Sequence, residues 1–563
     1  MNTLTKESSK KRELLNPEAR VIRERCVGCQ ECIIRCPTLA LSMDIINWVA
    51  RADNELCVGC RQCERTCPVS AITVVGSRKV PPRTHLLSIK PVELGSIAEV
   101  RPGFNTIEEA IKEAERCINC PDPTCVLGCP AHNDIPDFIE AIRKNDLERA
   151  QKVLSETTCL PDVCSRVCDL ANQCEGACTW ALAGGDAVAI GKLERYITDH
   201  GQVSPVRHNS DRGKGLSIGV LGSGPAGIAA AWELAEAGVK VTIYEREAIA
   251  GGILHWGIPS YVLPDEVSRR PILALQDAGV KIQTNTQVTP EIMESLLVKN
   301  DAIIAAFGAP VPEIPELPGV KLSGVMNATE FLTMAKGTLA KGTTVPEFQG
   351  TTVTVLVLGG SDTALDVARS VIRLGGKPIV IHRRQERFSR ARADEITEAK
   401  KEGVEFRFAT NLVKLEGENG KLRKAVLAKT QQKSVSTSPE TVKGTERAID
   451  TNMVVLATGY KLEPAFAKLF KLPIQQPISE RQLPDRRWIA SGIFARSSSV
   501  GSLAWEREYS LRVSLSPKRD RLWLAGDALV GPSTVVGSMA QGKLAARALL
   551  NSQFSHRSQG PRQ

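Results

Sequence analysis

The stretch Leu216-Ser-Ile-Gly-Val-Leu221, Gly222-Ser-Gly224-Pro-Ala-Gly227, and onward through Gly238 to Lys240-Val-Thr-Ile-Tyr244-Glu245 decides the fold. Leu216 to Leu221 is an apolar run of strand length, Ile228 to Gly238 reads as a helix, and Lys240 to Tyr244 is a second strand. The glycines have separate tasks: Gly222 makes the tight turn, Gly224 lets the backbone approach a pyrophosphate, and Gly227 lets helix and strand pack closely. Glu245, at the end of the second strand, is placed to accept a ribose hydroxyl. A glycine pattern alone would be weak; strand, loop, helix and terminal acid together predict a dinucleotide-binding βαβ unit.

Toward the C-terminus the pattern recurs. Val353 to Leu358 is a strand, Gly359-Gly360-Ser361-Asp362-Thr363-Ala364 opens a helix, and Pro378 to Ile381 is the next strand. Ser361 stands at the second-glycine position and adds a Cβ where backbone should meet phosphate. Where the first unit has an acid, this one has His382-Arg383-Arg384. Guanidinium groups there hold a 2′-phosphate, so the pattern predicts NADP over NAD; the competing reading is a solvated basic turn from His382 to Arg390. The expected fold class is multidomain α/β with two Rossmann-like dinucleotide-binding domains.

Toward the N-terminus the chemistry changes. All 17 cysteines lie between residues 26 and 178. Cys26, Cys29, Cys32, Cys36-Pro37 is repeated as Cys57, Cys60, Cys63, Cys67-Pro68, both reading C-V-G-C-x-x-C-x-x-x-C-P. This is the two-cluster bacterial ferredoxin run, in which the fourth thiolate of each copy reaches the other cluster. It assigns Cys26, Cys29, Cys32 and Cys67 to one 4Fe-4S cluster and Cys57, Cys60, Cys63 and Cys36 to its neighbour. Zinc is the alternative, but paired zinc sites do not need eight thiolates in this spacing.

From about residue 90 to 205 the pattern is helical, with Ile107, Ala110, Ile111 and Ala114 at amphipathic spacing. Cys117, Cys120, Cys125 and Cys129-Pro130 form one cysteine group there, and Cys164, Cys168, Cys174 and Cys178 another: eight more thiolates, enough for two cubes. Cys159 is left over, read as a small buried side chain, with a redox-active or substitute ligand as the alternative.

Composition sets the class. At 563 residues, 42% hydrophobic and 24% charged, the chain is a multi-domain globular protein. Met1 to Glu13 is polar and basic, and no stretch has about 18 consecutive apolar residues, so neither a signal peptide nor a membrane span is expected and a cytoplasmic location is. The formal charge of +9 falls to roughly +1 once four oxidised clusters add about −2 each. No recognition motif accompanies it, so nucleic acid is not an expected partner.

Further motifs run in order along the chain: Cys117-Ile-Asn-Cys120 through Cys129-Pro130, Cys164-Ser-Arg-Val-Cys168, Cys174-Glu-Gly-Ala-Cys178, Val188-Ala-Ile-Gly-Lys-Leu-Glu-Arg195, and Gly251-Gly252-Ile with Gly257-Ile-Pro259. They continue through Gly359 to Asp366, His382-Arg-Arg384, Ala457-Thr-Gly459 and Leu524-Ala-Gly-Asp527. Over residues 100 to 550 this resembles the small (beta) subunit of bacterial glutamate synthase and the matching iron-sulfur and flavin portion of dihydropyrimidine dehydrogenase. The resemblance implies that the first dinucleotide fold binds FAD and that the second, inserted into it, binds NADPH. It further implies hydride transfer to the flavin and exit of single electrons through two 4Fe-4S clusters. Its ligand crossing, carried over, puts Cys117, Cys120, Cys125 and Cys178 on one cluster and Cys129, Cys164, Cys168 and Cys174 on the other. Gly252 joins the FAD contacts, and Asp527 meets the ribityl region, with a helix N-cap as its alternative role. Three positions depart from the family pattern: Asp169 where a proline is usual, Ser361 for glycine, and Ala306-Phe-Gly308 for Ala-Thr-Gly. The N-terminal ferredoxin block is an addition to the glutamate synthase pattern, and the pyrimidine-reducing FMN domain has no counterpart here.

The expected organisation is a two-cluster ferredoxin domain with α+β character over 1–85, a helical two-cluster domain over 86–205, a discontinuous FAD domain over 206–345 and 461–563, and an NAD(P) domain over 346–460. The expected function is an NADPH-dependent FAD and iron-sulfur oxidoreductase with four 4Fe-4S clusters, handing electrons to a protein partner such as a larger catalytic subunit or a ferredoxin. No side-chain nucleophile or acid/base pair is required, because the cofactors carry the chemistry. Ferredoxin-driven NADP reduction, and a docking module without nucleotide turnover, are the rival readings.

Overall fold

A computed structural model describes residues 17–76, 80, 82–83, 92–201, 206–343, 348, 353–389, 391–432, 437–469 and 521–558. Two five-stranded parallel sheets form its centre. The first runs Leu522–Leu524, Ala302–Ala305, Ser217–Leu221, Lys240–Tyr244, Lys281–Gln283 from edge to edge. Its middle strand places Val220 between Ile243 and Ile304. Ile218, Val220 and Ile304 have no exposed surface, as expected of parallel strands covered on both faces. Helices Pro225–Glu236 and Val535–Ser558 share this core and cross closely at Gly542, where a Cβ would lie 2.1 Å from the Ala226 carbonyl oxygen.

The second sheet runs Val325–Asn327, Met453–Leu456, Thr354–Leu358, Lys377–His382, Glu405–Phe408. The last strand of the first sheet, Leu522–Leu524, pairs with Ala302–Ala305 only after the chain has completed the second sheet. The second dinucleotide fold is therefore inserted in the first. The boundary expected at 345/346 falls too late: Val325 pairs with Val454, and Ala328, Phe331, Leu332 and Ala335 of helix Ala328–Ala340 are buried in the second core. A three-residue strand carries too little periodicity to be read locally; its parallel partner, far along the chain, defines it.

The second fold also carries an antiparallel sheet not anticipated from sequence: Thr410–Glu418, Lys421–Gln431, Glu440–Thr441 and Arg447–Asp450. Its first hairpin turns on Asn419-Gly420, both at positive φ.

Residues 92–201 are helical and pack Phe138, Ile139, Ile142, Leu154, Leu193 and Ile197 at their centre. Helix Ile107–Ala114 is capped by the Thr106 hydroxyl, which accepts from Glu109 N–H. The N-terminal block pairs Glu18–Val21 with Ile72–Val75 and Leu41–Asp44 with Val49–Ala52, both antiparallel, around short helices Glu31–Ile34 and Gln62–Thr66. It is joined to the helical domain: Val58 and Cys60 are buried in the helical core, and Asp122 N–H donates to the Pro37 carbonyl. Among the described residues no helix is long and apolar enough to cross a membrane.

Candidate functional site

The cysteines gather in four groups. Cys26, Cys29, Cys32 and Cys67 line a pocket with Val27, Met43, Val69 and Ile72. Cys117, Cys120, Cys125 and Cys178 line another with Ile118, Ile139 and Trp180. Cys60 and Cys63 each lie within electrostatic reach of Cys36 and Cys57. In the fourth group Cys129 interacts with Cys164 and Cys174, and Cys168 with Cys164 and Cys174. Each group joins cysteines from two separate parts of the chain.

Burial, reinforced by neighbouring thiols, pushes Cys32, Cys60 and Cys120 up to about 11 and Cys63 to about 12. Burial likewise pushes Cys129 to about 12, and Cys125 and Cys174 well above the usual thiol range. Four such sulfurs become thiolates together only when a cationic centre neutralises them, so iron binding must expel protons. Backbone N–H groups of Ala40, Ala50 and Ala71 donate to the sulfurs of Cys36, Cys26 and Cys67 at 3.1, 3.4 and 3.1 Å. Sulfur donors in the first three groups, apolar linings around two of them and the N–H···S bonds of the N-terminal block fit 4Fe-4S cubes. The left-over Cys159 is buried in the core of the first dinucleotide fold, as the bland reading expects.

The Gly222 loop forms a cradle. Gly222 has φ of +96°, and a Cβ on Gly227 would lie 2.0 Å from the Gly222 oxygen, while the space at Gly224 is open to 4 Å. Turn, close packing and free approach thus fall on the three glycines as expected. Glu245 is buried; its Oε2 accepts from Ser223 N–H at 2.9 Å and from the Ser223 hydroxyl at 2.5 Å, and its Oε1 accepts from Glu247 N–H at 2.9 Å. Ser223 Oγ in turn accepts from Gly251 N–H at 2.8 Å. That bond folds the Gly251-Gly252 turn over the loop, where a Cβ on Gly252 would lie 2.8 Å from Gly224 Cα. Asp527 opens helix Asp527–Val530, and its Oδ1 accepts from Ser533 N–H and from the Ser533 and Ser538 hydroxyls at 3.1, 2.6 and 2.8 Å. Burial holds its carboxyl above the usual range.

In the second fold Gly359 backs onto Ala457, whose oxygen a Cβ would approach to 2.4 Å, and Gly360 backs onto the His382 ring. Ser361 is the N-cap of helix Asp362–Arg373 at φ −114°, an ordinary extended backbone, so the serine costs no strain. Ala364 is fully buried under it. The two arginines differ: Arg383 is exposed with no described ion-pair partner, whereas Arg384 is half-buried.

Family models match three regions of the chain: "4Fe-4S binding domain" over 19–42 and 50–73, "Dihydropyrimidine dehydrogenase domain II, 4Fe-4S cluster" over 94–205, and "Pyridine nucleotide-disulphide oxidoreductase" over 216–479. The NADPH glutamate synthase small chain of Azospirillum brasilense is 30% identical, covering 80% of this chain and 90% of that one. The chain belongs to the glutamate synthase small-chain family. It is an oxidoreductase with 4Fe-4S binding domains and a pyridine-nucleotide domain. Two other relatives are Escherichia coli UacF, 30% identical over 94% of this chain and 86% of that one, and the NAD-dependent dihydropyrimidine dehydrogenase subunit PreT of Escherichia coli, 34% identical over 57% and 76%.

Two residues of this small-chain-like body escaped the reading of the sequence. Ser223 occupies a variable position of its glycine motif, yet it is fully buried and links Glu245 to Gly251. Glu194, inside the quoted motif Val188 to Arg195, is buried within electrostatic reach of Cys129, Cys168 and Cys174. Its Oε1 has no hydrogen-bond partner, and burial pushes its carboxyl up to about 8. Beside three thiols it rivals Cys164 for the fourth position. The unusual placement of an acid in an otherwise apolar helical stripe was the available signal.

Proposed function

We propose that the chain is an NADPH-oxidising flavin and iron-sulfur subunit that passes electrons to a protein acceptor at its N-terminal end. The observation that carries this reading is the order of the thiol groups in space. Cys164 is buried in the core of the first dinucleotide fold, and Cys168 packs against it. Cys174 feels Cys125 of the next group. The loop between Cys120 and Cys125 touches Pro37, beside Cys36 of the third group, and Cys60 of that group enters the helical core. No cysteine of the Cys26 group joins that core. A row of four sites therefore leads from the flavin fold to the outer end of the chain.

Gly222, Gly224, Gly227, Glu245, Gly252 and Asp527 would hold FAD; Gly359, Gly360, Ala364, Arg383 and Arg384 would hold NADPH. When bound, flavin accepts a hydride and releases electrons singly, which iron-sulfur centres carry onward. The chain's own work is positional. Glu245 keeps acceptor capacity on Oε1 for a ribose hydroxyl, the open face at Gly224 admits a pyrophosphate, and Asp527 keeps its second oxygen clear of the three bonds on Oδ1. Names of the relatives as small chains and subunits support a protein partner. Anaerobically purified protein should contain one FAD and about sixteen iron atoms, and should bleach its flavin absorbance on addition of NADPH. Zinc in place of iron, or no bleaching, would overturn the proposal.

A further inference from the structure

Arg392 stands between the two places at which negative charge arrives. It caps helix Ala393–Glu402 and is only 7% exposed. Its backbone N–H donates to Asp362 Oδ1 at 3.0 Å, and its Nε lies 3.2 Å from Asp362 Oδ2. Nη1 donates to the Cys168 carbonyl oxygen at 2.9 Å, and Nη2 to Glu395 Oε1 at 2.5 Å. Glu395 is pinned by Arg369 at 2.6 Å and Arg101 at 3.2 Å, so it fixes one end of the guanidinium. Asp362 is the first residue of the helix that follows Gly359-Gly360-Ser361, and its carboxylate is 43% exposed. One side of Arg392 thus faces the helix N-terminus where nucleotide phosphate would sit. Its other side faces the backbone of the thiol group next to the flavin fold.

We infer that Arg392 is a positioning residue that couples nucleotide occupancy to the redox state of the Cys129, Cys168 and Cys174 group. The inference rests on the function proposed above. A cluster held by that group would, on taking up one electron, add one negative charge on the Cys168 side and strengthen the pull on Nη1 there. The hold on Asp362 weakens by the same displacement, and its carboxylate then repels phosphate at the same helix end more strongly. The reduced protein therefore binds NADP+ more weakly, so the spent nucleotide leaves once its electrons have moved on. Coupling is reciprocal: bound NADP+ makes this group harder to reduce.

The test uses the full-length holoprotein under anaerobic conditions. Because reduced flavin would pass hydride to NADP+ itself, the probe is 2′-phospho-ADP-ribose, which keeps the phosphates and lacks the nicotinamide: its dissociation constants are measured by equilibrium dialysis on the oxidised and dithionite-reduced forms, and EPR-monitored potentials are measured with and without it at saturation. Binding to the reduced form should be weaker by about threefold to tenfold, and a tenfold change corresponds to about 59 mV for a one-electron couple. Arg392→Gln should cut this ratio at least threefold and remove the nucleotide-dependent fall in potential, while Arg392→Lys should retain most of both. Asp362→Asn, which leaves the Cys168 contact in place, should also shrink the ratio and covers the case in which Arg392→Gln loses its cofactors. A wild-type protein that binds 2′-phospho-ADP-ribose with no redox-dependent ratio, or variants that keep the wild-type ratio and potential shift, would overturn the inference. A wild-type protein that holds flavin and iron yet binds no NADP+ would instead break the nucleotide reading beneath it.

Discussion

Ser223 shows how a residue hidden in a motif's variable position sets the geometry of its neighbours. Its hydroxyl donates to Glu245 and accepts from Gly251, so one atom fixes both the acid and the turn that closes on Gly224. Ser223→Ala leaves a buried N–H without a partner, a loss of about 1 to 3 kcal/mol. FAD should dissociate about tenfold more readily, read as flavin fluorescence released on dilution; unchanged retention would mean that the turn holds without the hydroxyl. Arg383 is exposed and free to meet a 2′-phosphate, so Arg383→Glu should shift preference toward NADH by about 1.5 to 3 kcal/mol. Equal use of NADPH and NADH by the unmutated protein would remove the basis for that expectation. The glycine loops were legible because their turns and close contacts are local. Glu194 was not, because its partners lie 20 to 65 residues away and only the fold assembles them. Cys164→Ser and Glu194→Gln separate the two candidates for the fourth position: the true ligand should cost up to four irons per chain, and the other none.

Elements were legible in proportion to their length. The strands at Ser217–Leu221 and Thr354–Leu358 announced themselves through the glycines that follow, whereas Val325–Asn327 exists because a parallel neighbour awaits it. The antiparallel hairpin did leave a signal in Asn419-Gly420, a favoured two-residue turn between strands. Helix packing was beyond reach, yet it governs the flavin site. Gly542 on Val535–Ser558 meets the Ala226 carbonyl within the first turn after the phosphate loop. An alanine there gains about 1 kcal/mol in helix propensity. Because the obstructing atom is backbone, overpacking costs about 1 to 3 kcal/mol and outweighs that gain. Gly542→Ala should therefore lower the thermal midpoint and release FAD at a lower temperature than wild type; a raised midpoint would show that the helices part without strain.

At the scale of the whole molecule, the N-terminal block is built into the body. Val58 and Cys60 lie in the helical core, and Arg83, near the end of the block, donates to Glu175 at 2.5 Å and to the Ala187 carbonyl. Residues 1–85 contain 14 Lys and Arg against 9 Asp and Glu, a formal +5, so with two clusters at about −2 each the block is near neutral. That suits a docked relay better than a diffusing carrier steered by charge. Removing the block would tear the helical core, so its role is better tested at the outermost thiol group. Cys29 is exposed, and no cysteine of its group is among the residues of the helical core. Cys29→Ala should lower iron content by about four atoms and leave NADPH-driven reduction of a small dye nearly unchanged, because dyes reach the flavin and inner groups. Reduction of cytochrome c, a protein too large to approach those groups, should fall sharply, since the outer site shortens the last transfer. A variant that loses four irons yet reduces cytochrome c at the full rate would make the outer group a side branch, and electrons would leave the chain from the helical domain.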